Sequence, residues 1–137
     1  MTTRIIKKTQ GTYFDLAQIF SELNSRFFYG KIEAELRWGN KRSPPPAAKH
    51  TIRLGSYHPL KRLITIHPCL DQAAVPGICV ERILFHEMAH QIFPSKRSPS
   101  GKILVHYREF NDFEKNYPYL SEADRWIKTN LPRLLRF

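Results

Sequence analysis

Across residues 12–32 the apolar positions recur with a helical rhythm. Leu16, Ile19, Phe20, Leu23 and Phe27 fall on one face, which predicts a helix with a single buried side. Thr12 followed by Asp15 resembles a capping arrangement, and Gly30 is a natural stop. At residues 34–38 the rhythm changes to alternation: Ala34, Leu36 and Trp38 share one side, as in a half-buried strand. Residues 39–50 contain three successive prolines, which deny a sheet its backbone donors, so this stretch reads as an irregular loop. "TIRLGSY" (51–57) and "RLITIHP" (62–68) alternate again and predict a hairpin turning at His58–Lys61.

A helix is expected from Pro76, suited to an early helical position, to Pro94. A basic loop, "PSKRSPSGK", follows it. "VHYREFNDFEKNY" (105–117) reads as a third helix. Residues 121–137 read as a fourth, capped by Ser121 and kinked or ended by Pro132. This order predicts an α+β fold: a small antiparallel sheet of about three strands packed with a central helix and two or three others.

Composition narrows the class. A chain of 137 residues is expected to form a single domain over 1–137, and 42% hydrophobic with 25% charged residues fits a globular protein. No stretch approaches the ~20 apolar residues of a membrane span, and the start "MTTRIIKKTQ" lacks an apolar signal core. The two cysteines, Cys69 and Cys79, offer no disulfide framework and match no common ligand or redox spacing. A soluble, intracellular, cytoplasmic protein with inert thiols and no membrane partner is the expectation. The net charge of +10 attracts polyanions, of which nucleic acid is the commonest inside cells.

Within the second helix, "ILFHEMAHQIF" sets three polar groups in an otherwise apolar run. His86 and His90 are one turn apart and point the same way, with Glu87 beside them. Leu84, Phe85, Met88, Ala89 and Ile92 cover most of the remaining surface, which marks the helix as internal. An unpaired buried polar group costs roughly 1–3 kcal/mol, so three together need a purpose. A zinc ion satisfies both imidazoles and leaves Glu87 to act on a water, which is the physical content of H-E-x-x-H.

A catalytic zinc takes three protein ligands and keeps one position open. The longer zincin pattern fails here, because Phe93 stands at its glycine position and Lys96 at its histidine position. His106, Glu109 and Glu114 remain as candidates for the third ligand. His106 and Glu109 are i, i+3 on the expected third helix, so both can face the site, the histidine as ligand and the carboxylate as its hydrogen-bonding partner.

"NSRFFYGKI", "RWGN", "IRLGSYH…RLITIHPCL", "ILFHEMAH" and "VHYREF" together resemble the SprT-like zinc metallopeptidase domain, found in Spartan proteases. The likeness covers residues 12–117. It implies a zincin-like core and one Zn2+ per chain, held by His86, His90 and His106, with Glu87 catalytic. Glu109 and Phe110 align with the Glu-Phe pair that follows the family's third ligand, while Tyr107 and Arg108 stand where the family often has small residues or proline. The cysteine-rich zinc ribbon of many relatives is absent from the sequence, so the likeness is to a minimal catalytic core.

The expected activity is zinc-dependent peptide hydrolysis, with Tyr57, Tyr107 and Arg108 as candidate donors to the oxyanion. The resemblance implies a protein substrate and cleavage directed by DNA. Lys96, Arg97 and Lys102 lie between the zinc helix and His106, where they could guide nucleic acid to the cleft. Two other readings compete: a DNA-binding module whose zinc is structural or catalytically silent, and a regulatory protease that ignores DNA.

Overall fold

The computed structural model of the chain describes residues 9–40 and 54–135. The expected proline-rich loop falls mostly, and the start of the 51–57 strand wholly, outside the described residues. So do the basic side chains of Arg4, Lys7, Lys8, Lys41, Arg42, Lys49 and Arg136.

The first helix, α1, spans Leu16–Phe27. Asp15, not Thr12, caps it by accepting a hydrogen bond from the Ala17 amide at 3.0 Å. Thr12 lies in a turn whose amides at 12, 13 and 14 are all held by the Asp71 carboxylate, at 2.7, 2.8 and 3.1 Å. The helix closes as expected: the Gly30 amide returns to the Asn24 carbonyl at 2.9 Å, with Gly30 at φ +69°.

Three short strands follow: β1 (Glu35–Trp38), β2 (Gly55–His58) and β3 (Leu63–Ile66). The β2–β3 hairpin is antiparallel as expected, pairing Gly55 with Ile66 and His58 with Leu63. β1, however, joins the far side of β3 in parallel, so the sheet is mixed rather than antiparallel. A short turn dictates the direction of the pair it joins. Alternation in β1 reports only which face is buried, and direction comes from the longer connection. With a partner on each side, β3 is the central strand, and its Ile64 and Ile66 are fully buried.

Helix α2 (Gly77–Ile92) lies across β2 and β3 and also touches α1. Cys79, Val80, Leu84, Phe85, Met88 and Ala89 are buried around it, as an internal helix requires. The stretch read as a basic loop contains β4 (Lys96–Arg97), which pairs with β5 (Ile103–Leu104) just after it in a small hairpin turned through Gly101 at φ +89°. Two-residue strands are too short to leave a pattern. Helix α3 (Arg108–Glu114) begins later than expected, because Tyr107 is still extended. Helix α4 (Leu120–Leu134) begins one residue before Ser121, which forms no cap, and continues through Pro132. Both α3 and α4 pack against α2.

The result is a small α+β fold, with four α-helices and a mixed three-stranded sheet among the described residues. No helix among them is long and apolar enough to cross a membrane.

Candidate metal centre

The three histidines singled out from sequence converge. His86 Nε2 lies 3.1 Å from His106 Nε2, which lies 3.2 Å from His90 Nε2. Two come from successive turns of α2 and the third from the residue pair just before α3. Bonds of ~2.0–2.1 Å at tetrahedral angles would place ligand nitrogens roughly 3.3 Å apart. Protons alone account for this triangle poorly. One ring nitrogen carries either one hydrogen or one lone pair, so the His106 Nε2 cannot satisfy both neighbours. A cation at the centre satisfies all three, and the donor set suits zinc among other divalent metals.

The rings are held from behind. The Phe110 ring on α3 packs against all three imidazoles, with centroids 5.0, 4.7 and 5.0 Å from His86, His90 and His106. Glu114, one turn further along α3, accepts a hydrogen bond from His86 Nδ1 at 2.5 Å. That contact places the Nδ1 proton on the Glu114 side and turns Nε2 towards the other two histidines. Arg82, one turn before His86 on α2, donates to the same carboxylate oxygen. Its Nε also reaches Asp124 on α4 at 2.6 Å. Burial alone would raise the pKa of Glu114. The hydrogen bonds and charges of His86 and Arg82 outweigh it and hold the carboxyl at about 2.

Glu109 does not partner His106. Its side chain is 63% exposed and its nearest cation is Lys96, 3.9 Å away. The reason is register: α3 buries Phe110 and Glu114, so its inner face continues from His106 at i+4 and i+8, not at i+3. Glu114, weighed as a ligand, instead supports one from the side away from the triangle. Arg82 was missed altogether, and Phe110 was named only as part of the family-like Glu-Phe pair, without its packing against the histidines. Arg82 left one usable sign, being a charged residue in an apolar helix at four-residue spacing from His86 and His90.

Beside the triangle opens a cleft of about 710 Å³. His86, Glu87, His90 and His106 all line it, together with residues of β2 and α4. Glu87 is buried at 6% exposure. Among the expected oxyanion donors only Tyr57 lines the cleft, its hydroxyl accepting from Gln91 Nε2 at 2.9 Å. The Tyr107 hydroxyl donates to the Pro94 carbonyl, and Arg108 is 89% exposed beside Asp112. Lys96, Arg97 and Lys102 sit exposed on the β4–β5 hairpin and do not line the cleft. Lys96 lies over the Tyr107 ring and Arg97 donates to the Gly101 carbonyl at 2.9 Å. Cys69 and Cys79 are free and fully buried, in the core rather than at the site.

Comparison with known proteins gave no match: no family model, no curated protein and no solved structure.

Proposed function

We propose that the chain is a zinc-dependent endopeptidase with a zincin-like core of the SprT-like kind. The observation that carries this reading is the convergence of three imidazole Nε2 atoms beside a cleft that a buried glutamate on the same helix also lines. His86, His90 and His106 would hold the metal. Zinc, when bound, supplies Lewis-acid polarisation of a carbonyl and a lowered pKa for the attacking water.

The chain's own residues supply the rest. Glu87 accepts the proton released as the water oxygen adds to the scissile carbonyl carbon. It returns that proton to the amine nitrogen as the C–N bond breaks. Tyr57, whose oxygen already accepts from Gln91, has its own proton to offer the developing oxyanion. Glu114 and Phe110 hold the histidine rings so that no reorientation is needed during turnover.

A purely structural zinc would call for a fourth protein ligand. Among the described residues, the two carboxylates weighed as further ligands do not approach: Glu109 faces outwards, and Glu114 occupies the Nδ1 side of His86. This supports a reactive site over a closed one. The direction of cleavage towards DNA-associated proteins rests on the net charge of +10 and on three basic residues in the segment joining α2 to His106. The experiment is casein cleavage and self-cleavage by the zinc-loaded chain, with and without single-stranded DNA. Cleavage that rises with DNA supports the full reading. Cleavage indifferent to DNA leaves a DNA-independent regulatory protease, and DNA binding with zinc bound but no cleavage leaves a binding module.

A further inference from the structure

Gly55 opens β2, and nothing about its backbone requires glycine. Its φ lies outside the left-handed region, unlike those of Gly30 and Gly101. What it lacks is space. A Cβ at position 55 would stand 2.8 Å from Ile83 Cγ2, 3.0 Å from Glu87 Oε2 and 3.1 Å from Glu87 Cγ. The first is closer than real Cβ atoms come, and the other two are tight enough that the neighbour must give. A glycine within a strand often marks such a close approach.

Ile83 and Glu87 are i, i+4 on α2, so one face of that helix lies on the bare backbone of the strand. The Ile83 methyl sits on a branched Cβ whose rotamer is nearly fixed in a helix. The glutamate has more rotatable bonds, so an added side chain would displace the carboxylate first. The three imidazoles pack against Phe110, and His86 also bonds Glu114, both on α3. These contacts to the rings come from α3, whereas the close approach to the carboxylate comes from β2.

We infer that Gly55 is a positioning residue: the side chain it lacks is the slot in which β2 holds the Glu87 carboxylate beside the metal-binding histidines. The catalytic consequence rests on the protease reading above, whereas the contact itself does not. A slot of this kind separates proton transfer from metal binding. A substitution at position 55 reaches the first while sparing the second.

Melting temperatures of the metal-free wild type, Gly55→Ala, Glu87→Ala and the double variant test the contact. Gly55→Ala is expected to lower the melting temperature by roughly 3–10 °C, as overpacking does, and by less than half as much once Glu87 is truncated. Equal losses in both backgrounds would assign the crowding to Ile83 alone and overturn the inference. Should Gly55→Ala fail to fold, recovery by adding Glu87→Ala supports the slot and failure to recover overturns it. In the zinc-loaded chain, Gly55→Ala is expected to lower kcat at least tenfold, with KM and zinc affinity within threefold of wild type. A parallel loss of zinc affinity would make Gly55 a packing residue only. If the wild type itself turns over no substrate, the protease reading fails, and the melting cycle still decides the contact.

Discussion

Glu114→Gln isolates the support beneath the candidate metal centre. The amide keeps the size of the side chain and removes its charge. Two contacts meet at this carboxylate, from His86 Nδ1 at 2.5 Å and from Arg82, and the Glu114 side chain is only 10% exposed. A hydrogen bond to a charged group contributes about 1.5–3 kcal/mol, against about 0.5–1.5 for a neutral one. The His86 contact loses its charged partner, whereas Arg82 stays cationic and keeps Asp124 as a second partner, so the change should remove roughly 1–2 kcal/mol from the metal-free fold. For a chain of this length that is a melting-temperature loss of roughly 3–10 °C.

Metal affinity should fall separately. Losing the group that orients a metal-binding histidine weakens binding ~10–100-fold. That is about 1.4–2.8 kcal/mol. Competition for zinc against a chromophoric chelator near neutral pH reads the affinity, and thermal melts of the stripped protein read the fold. A folded variant that binds zinc within twofold of wild type would refute the orienting role. A large melting-temperature loss without any affinity loss would leave Glu114 as a structural link between α2 and α3.

Two further predictions concern the core and the surface. Burial pushes the Cys69 thiol from 9.0 up to about 12, and burial followed by the Asp124 charge pushes Cys79 up to about 11. The fold therefore favours the neutral thiols. Their contribution is full below about pH 9, where unfolded cysteine begins to ionise, and is lost as pH rises through about 11 and 12. Neither thiol should react with a disulfide reagent near pH 8 unless denaturant is added, and prompt labelling of the folded chain would contradict this. Neutralising Lys96, Arg97 and Lys102 together should reduce the slope of log affinity against log salt by roughly 2–3 if each meets a DNA phosphate. An unchanged slope would place DNA elsewhere or nowhere.

Much of the architecture was legible because it is local. The apolar rhythm marked α1 and the internal α2, and the turn after His58 marked the β2–β3 hairpin. His86, Glu87 and His90 lie within five consecutive residues of one helix, so a single spacing rule reached them. His106 could be named a candidate but not placed. Its neighbours are set by where α3 begins, and the extended Tyr107 delays that start. The shift exchanges Glu109 for Phe110 and Glu114 on the inner face. Arg82, Glu114 and Asp124 meet only when α2, α3 and α4 pack, and no spacing along the chain records that. Gly55 was legible as a strand residue, yet its purpose depends on a helix that begins more than twenty residues later.

The central claim is that Glu87 moves a proton while the histidines hold the metal. Casein cleavage by zinc-loaded wild type and Glu87→Gln, with bound zinc measured in each, tests it most directly. The account predicts one zinc per chain in both and a loss of turnover of ~10²-fold or more in the variant. Zinc bound in both with equal cleavage, or with none by the wild type, would contradict it.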